Sequence, residues 1–429
     1  MSKQGKIFYG WWIVLLLMVI SGSAIALTVS TYMIYQNQVI NVIGISPTQF
    51  SLSTTLIFLT SMLASPMVGR LIQQHTKPTL IVFLTGFCVT YAAFGYVSNL
   101  WLLYILAVLL GFFFTGLAYI PPGVLVNRWF IEKKGLAMSI SLAGSAVLGV
   151  IFSKYITYCI QHYDYSIAYI SIGAGLLISG LLMIVFLLKD SPESIGLKPL
   201  GSEQLSTEQA GAAPVNGGKN NALVHYSLKQ LYATSFFWAM LLAQFLAGFV
   251  GGGIVIQLPV YLQNTFDLEL ATNLLVLNLV ASVFAKILVG WVYDKLGLRS
   301  STLIIVGSIL MTCLLFIMIS SPDMWLIGAL AVIIWSVGNC VGTVTTSVVA
   351  SRTYGPQGYG EIYGTVMRFQ TLGMATGVPA VAKLYAMSNS FAFVWSVFAG
   401  LTFIMLVAYL YGLAKSNPLR TNAPAVATA

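Results

Sequence analysis

The sequence predicts an all-α membrane protein, with twelve transmembrane helices in two six-helix bundles. Three observations carry that expectation. The 429 residues are 58% hydrophobic and only 7% charged, against about 25% charged in a soluble domain. The apolar residues fall in continuous runs of roughly 20 or more, long enough for a helix to cross a bilayer. One long polar stretch near the middle leaves six runs on either side. A closed barrel would also satisfy the backbone in lipid, but the runs lack its period-two alternation.

In chain order the first set of runs covers 11–36, 48–73, 78–98, 100–127, 135–160 and 166–188. The second covers 234–262, 270–293, 300–320, 324–352, 358–386 and 390–414. The first run enters the bilayer through Phe8-Tyr9-Gly10-Trp11-Trp12, an interfacial aromatic belt. It is too long for a signal-peptide core and carries no convincing cleavage site, so it reads as a span. In the fourth run, Pro121 and Pro122 follow Tyr119 and are expected to bend the helix. Residues 189–230 read as a flexible cytoplasmic linker marked by Pro192, Pro199, Pro214 and several glycines. The domains are therefore a bundle at 1–188, the linker at 189–230, and a bundle with a short tail at 231–429. Tyr226–Tyr232 is expected to rest on the membrane surface before the seventh span.

A net charge of +9 invites a nucleic-acid reading, which its distribution rejects. Most of the 20 Lys and Arg lie at the N-terminus, in alternate loops or in the tail, including Lys3, Lys6, Arg70, Lys77, Arg128, Lys133, Lys134, Lys295, Arg299, Arg352 and Arg420. The opposite loops hold Asp164, Asp267, Glu269 and Asp323. That is the positive-inside pattern of a multi-pass cell-membrane protein with both termini cytoplasmic. Lys154 and Lys383 sit near outer helix ends, where they can snorkel.

Two cations remain deep: Lys286 in LLVLNLVASVFAKILVGW and Arg368 in GEIYGTVMRFQTLGMATG. A cation in hydrocarbon costs at least about 2.5 kcal/mol, so it normally faces a cavity or a partner. No acid lies at their depth. At about 1.5 Å per residue, Lys286 stands roughly 12 Å and Arg368 roughly 15 Å from the cytoplasmic ends of their spans. The joint expectation is a small organic anion held between them. Each also has a plainer reading: Lys286 as a snorkelling lysine, Arg368 as a structural cation bonded to carbonyls or to Glu361.

Cys88, Cys159, Cys313 and Cys340 show no metal spacing and read as small packing residues. His75, His162 and His225 fall at loops or helix ends. No nucleophile–base cluster or phosphate loop argues for an enzyme, and no cofactor is expected.

The two halves echo one another. Gly69-Arg70-Leu71-Ile72-Gln73-Gln74-His75-Thr76-Lys77 follows the second span, and Gly290-Trp291-Val292-Tyr293-Asp294-Lys295-Leu296-Gly297-Leu298-Arg299 follows the eighth. The second copy resembles the G-x-x-x-D-[RK]-x-G-x-[RK] loop of the major facilitator superfamily, whose two six-helix bundles rock about a central site. The resemblance makes Asp294, Lys295 and Arg299 a conformational latch. The first copy has Gln73 in place of the acid, so there the resemblance assigns no latch.

Three further stretches narrow the resemblance: Phe8-Tyr9-Gly10-Trp11-Trp12, Asn127-Arg128-Trp129-Phe130-Ile131-Glu132-Lys133-Lys134-Gly135-Leu136-Ala137, and Ser191-Pro192-Glu193-Ser194-Ile195-Gly196-Leu197. Together they look like the monocarboxylate transporter and oxalate/formate antiporter branch. That resemblance implies transport of small organic anions by a monomer, with a basic residue on span eight, usually arginine, holding the carboxylate. Lys286 occupies that place, as a point charge without arginine's two-pronged fork. Oxalate-transporting members carry a second basic residue on span eleven. Ungapped alignment on Tyr359-Gly360 puts Val366 there and Arg368 two residues on, about 200° round the helix. Local unwinding near Gly364 would restore the match. The resemblance also points to Tyr119 on span four and to Trp335 and Asn339 on span ten. Tyr32, Gln257 and Asn278 are further hydroxyl or amide donors near the expected cavity.

Proton-coupled relatives often place an acid one or two turns before the basic residue, where this chain has Ser282 and Val280. That leaves anion exchange, uniport, or proton coupling through Lys286. The alternative function is efflux of drugs or other hydrophobic compounds, which suits the 13% aromatic content. Cation exporters usually need a membrane-embedded acid, and no run has one near its middle.

Overall fold

The computed structural model describes residues 8–202, 228–319, 321–354 and 359–416. Lys3, Lys6, His225, Arg420 and residues 203–227 of the expected linker lie outside the described residues. The first bundle contains α1 (Gly10–Ile25), α2 (Gln36–Ile43), α3 (Pro47–Gln74), α4 (Thr76–Ala93), α5 (Leu100–Thr115), α6 (Ile120–Trp129), α7 (Lys134–His162) and α8 (Tyr165–Leu187). The short α9 (Leu228–Tyr232) precedes α10 (Ser235–Thr265), α11 (Leu268–Met318), α12 (Trp325–Gly338), α13 (Val344–Tyr354), α14 (Tyr359–Ser388) and α15 (Phe391–Lys415). Helix α11 is two spans that reverse at Gly297, whose φ of 74° and ψ of 179° suit only glycine. Ten helical stretches of the described residues are long and apolar enough to cross a membrane; with the two legs of α11 taken separately and the more polar α14 added, they accommodate the expected twelve spans.

Local sequence explains where helices start and break. A capping box opens α3: Ser46 Oγ accepts the Gln49 N–H, and Gln49 Oε1 accepts the Ser46 N–H at 2.8 Å. Asn99 caps α5, accepting the Leu102 N–H at 2.9 Å. The fourth span does not bend at its prolines as expected; it breaks before them, through Gly116–Tyr119. Pro121 and Pro122 then lie in the first turn of α6, where a missing N–H leaves no helix bond unmade. The tenth span breaks into a 3-10 turn, Asn339–Gly342, between α12 and α13. The first passes through a π turn, Ala26–Ser30, before a bend at Thr31. No unwinding occurs near Gly364, because α14 is continuous from Tyr359 to Ser388.

Within the first bundle α1 packs on α6, α7 and α8, α3 on α5, and α4 on α5 and α8. Within the second, α10 packs on α14 and α15, α11 on α12 and α15, and α13 on α14. Two crossings make the principal joints between the bundles, α3 with α14 and α7 with α11. Both depend on glycine. A Cβ on Gly69 would overlap the Gly360 carbonyl, and one on Gly290 would overlap Ser139 and the Gly135 carbonyl. These crossings lie at the end of the molecule that carries the 69–77 and 290–299 loops, here called the linker side.

The three stretches that suggested a transporter branch meet in one clasp on the linker side of the first bundle. Phe8 and Tyr9 pack on Trp129, with ring centroids 6.0 and 5.6 Å apart, and Trp11 packs edge-on against Phe130. Leu200, just beyond Ser191–Leu197, donates its N–H to the Trp129 carbonyl at 3.0 Å. Its own carbonyl accepts the Ile131 and Glu132 N–H groups. Arg128 reaches the Asp190 carbonyl and, at 2.9 Å, Thr76 Oγ1. The clasp thus fixes the start of the linker to the first bundle.

Candidate functional site

Lys286 lies on the first leg of α11, 7% exposed, and points across the joint into the other bundle. Its Nζ donates to Ser145 Oγ at 2.6 Å and to the Leu142 carbonyl at 3.1 Å, both on α7. Ser145 itself donates to the Leu142 carbonyl at 2.9 Å. The lysine therefore does not snorkel. Its partners are neutral oxygens, and no acidic side chain among the described residues bonds it. Cys340, on the 3-10 turn that interrupts the tenth span, is its electrostatic neighbour. A buried lysine amine has three donors when charged, and here the described residues offer it only neutral oxygens.

One face of α11 carries Lys286, Gly290 and Asp294 in steps of four, so all three meet α7. Asp294 Oδ1 and Oδ2 accept the N–H groups of Gly135 and Leu136, at 3.1 and 3.0 Å, in the first turn of α7. That is where a helix welcomes negative charge. Arg352, at the end of α13, donates to Asp294 at 2.6 Å and to the Tyr293 carbonyl. Asp294 thus bridges the two bundles. Lys295 is exposed, and Arg299 reaches the Leu413 carbonyl at the end of α15.

The other joint repeats this construction with a different residue. Gln73 Oε1 accepts the Gly360 N–H at 2.8 Å, in the first turn of α14. Arg128 donates to the Gln73 carbonyl, as Arg352 does to that of Tyr293. Arg70 and Glu361 pair beside them. Gln73 thus bridges the bundles although it is not an acid, because an amide oxygen accepts an N–H as a carboxylate does. By the register of the repeat, Ser65 stands where the second copy has Lys286, and it packs against Gly364.

Arg368 is placed apart from this arrangement. It is exposed, one turn beyond Gly364, on a face continued by the exposed Thr376, Pro379 and Lys383. Glu361 is already paired with Arg70, so it does not neutralise Arg368. Val366, two residues away, is buried beside Met240, Gln244 and Thr346 inside the second bundle. Nothing in the described residues brings Arg368 into contact with Lys286.

The weaker candidates divide. Tyr32 is fully buried in the first bundle, its hydroxyl 2.8 Å from Ser53 Oγ and its ring stacked on Phe50; it is a packing residue, corrected from a ligand donor. Asn278 Oδ1 lies 3.1 Å from the Ser336 hydroxyl, tying α11 to α12. Trp335 is buried one turn before Asn339, which opens the 3-10 turn and is half-buried. Tyr119 caps α6, packs edge-on against Phe114 and is half-buried. Gln257 is half-buried on α10. Around the break, Thr346 Oγ1 lies 2.9 Å from Gln244 Oε1, while Gln370 donates to the Gly342 carbonyl freed by the turn. Ser145, Leu142 and Gln370 were not singled out in the sequence, and Gln73 was read only as a departure from the loop motif. The small residues Gly135, Ser139 and Ser145 on α7 are the one sequence signal that could have pointed to these partners. An apolar groove of about 710 Å³, lined by Phe284, Leu288, Trp291 and Ile333, opens on the outer face of α11 and α12. Phe284 is 68% exposed there, as suits a lipid-facing surface.

Two six-helix bundles are joined by glycine crossings, with a buried lysine between them that bonds no acidic side chain among the described residues; that is the build of a membrane carrier. Residues 11–378 match the Major Facilitator Superfamily, and the chain belongs to that family of transporters. No curated protein matches it in sequence. Among solved structures it is similar to the proton:xylose symporter XylE bound to 6-bromo-6-deoxy-D-glucose, with a TM-score of 0.71 at 12% identity over 93% of this chain and 94% of that one. The transporter FucP in the outward conformation gives 0.65 at 10% identity over 94% and 99%. The human organic anion transporter MFSD10 (TETRAN) gives 0.64 at 15% identity over 94% and 97%. At these identities the likeness shows the fold alone.

Proposed function

We propose that the chain is a secondary active transporter of small organic anions, working across the cell membrane by alternating access. Its substrates on this reading are monocarboxylates such as lactate or pyruvate, or formate- and oxalate-type acids. The observation that carries the proposal is Lys286: buried, bonded only to Ser145 and the Leu142 carbonyl, and without an acidic partner among the described residues. A carrier of a neutral sugar, such as the proton:xylose symporter XylE, has no need of such a cation. Tyr119, Trp335 and Asn339 are the proposed neighbours of the anion, and Arg368 is not part of its anchor. The linker side is read as cytoplasmic from the charge pattern. Transport is coupled either by exchange of one anion for another or by a proton carried on Lys286.

Labelled lactate and oxalate flux into proteoliposomes tests this. Lys286→Gln should cut flux by at least about tenfold, because truncating one partner of a buried charged interaction costs about 2–5 kcal/mol. Flux of a labelled acid that is insensitive to Lys286→Gln would sink the site. Accumulation driven by an inward pH gradient without internal anion would identify proton coupling; its absence, with flux only against internal anion, would identify exchange.

A further inference from the structure

Lys286 is the deepest of the side chains that bond the two bundles together among the described residues. The others cluster nearer the linker side: Asp294 with Gly135 and Leu136, Gln73 with Gly360, and Arg70 with Glu361. The bundles are therefore closed on the linker side, and in this closed form Lys286 finds its oxygens on α7. The partners are well chosen for a temporary role. Ser145 Oγ and the Leu142 carbonyl solvate an ammonium, yet carry no charge to compete permanently with an anion. Leu142 and Ser145 also bond each other, so the pair is not orphaned when the lysine leaves. If the bundles part on this side, α7 withdraws from α11 and the cation loses both oxygens. A buried charge stripped of its partners is strongly disfavoured, so parting requires a replacement.

We propose, resting on the reading of Lys286 as the anion anchor, that Ser145 and the Leu142 carbonyl are its resting ligand. They hold the empty carrier closed on the linker side and are exchanged for a carboxylate oxygen when substrate binds. Ser145 is then a positioning residue that couples occupancy to the opening of the α7–α11 joint. No bond is broken beyond hydrogen bonds, and the substrate supplies the charge that the resting ligand lacks. Linkage fixes the sign: substrate binds more weakly to the closed form, where it must displace Ser145, than to the opened one.

Ser145→Ala removes the hydroxyl and leaves the backbone carbonyl. Spin labels on Ile131→Cys and Leu296→Cys, both at exposed positions across the joint, report its width, and the four native cysteines are buried. In detergent without added acid the parent protein should show the short distance. Ser145→Ala should raise the long-distance population relative to it about tenfold, the equivalent of about 1.4 kcal/mol. Its apparent affinity for lactate or oxalate, titrated by the label distance, should tighten by a similar factor. Ser145→Thr, which keeps the hydroxyl, should restore the parent distribution, which mere loss of packing would not explain. A Ser145→Ala protein with the parent's distances and affinity would overturn the proposal, even if acid still shifts both. If Ser145→Ala opens the joint but neither acid affects either protein, the resting lock stands and the anion reading falls.

Discussion

Lys286 and Arg368 look alike in the sequence, as basic residues inside apolar runs, yet the structure gives them opposite surroundings. Lys286 is enclosed and aimed at another helix; Arg368 stands on an exposed face. The difference arises from two residues of register. Val366 takes the inward position in the second bundle, and a step of two residues turns the next side chain about 200° away. An arginine on an exposed face can spread its stem over apolar surface and carry its head toward water, at little cost. We therefore expect Arg368→Gln to lower labelled-acid flux by less than about twofold, against at least about tenfold for Lys286→Gln, since exposed charges contribute little. Comparable losses in the two variants would put Arg368 back beside the anion. Depth along the helix was legible in the sequence; direction around it was not, because it depends on which neighbour each face meets.

At the scale of elements, the two joints are the same construction made from different chemistry. Each seats an oxygen on the first turn of a helix in the other bundle, and each has an arginine bonded to the loop that carries it. Asp294 offers a charge to two N–H groups and to Arg352, whereas Gln73 offers a neutral oxygen to one. Hydrogen bonds to charged groups contribute about 1.5–3 kcal/mol and neutral ones about 0.5–1.5 kcal/mol. Asp294→Ala should accordingly open the linker side more than Gln73→Ala, by about a factor of ten in population, measured as the distance between labels on Ile131→Cys and Leu296→Cys. Equal effects would mean the carboxylate's charge is irrelevant to the lock. The loop motif itself was plain in the sequence, as were the span positions. What stayed hidden were the breaks at Thr31, Gly116–Tyr119 and Asn339–Gly342, since broken helices are stabilised by distant partners such as Gln370. The branch motifs have a structural use as well. Their residue order is specific, but the structure spends it on a clasp between α1, α6 and the linker, so it speaks to architecture before substrate.

For the whole molecule, the question is whether the two joints open as one. Helices within each bundle pack continuously, and the principal crossings between bundles are α3 with α14 and α7 with α11. Gly69 against Gly360 and Gly290 against Gly135 bring backbones so close that neither crossing has slack to absorb motion at the other. Packed helices at such density move as bodies, because their interfaces are bistable rather than continuously deformable. A lesion in one joint should then be felt in both. Labels on Gln74→Cys, at the end of α3, and on Lys229→Cys, on α9 before the second bundle, both exposed, would report the joint that Asp294 does not touch. Asp294→Ala is expected to lengthen this remote distance in the same proportion of molecules as it lengthens the near one. Combined with Gln73→Ala, its effect should add within about 0.5 kcal/mol, as for well-separated sites biasing one equilibrium. If Asp294→Ala opened the α7–α11 joint and left the α3–α14 distance unchanged, the bundles would be flexing at separate hinges. Rocking about a central anion would then be the wrong description of this carrier.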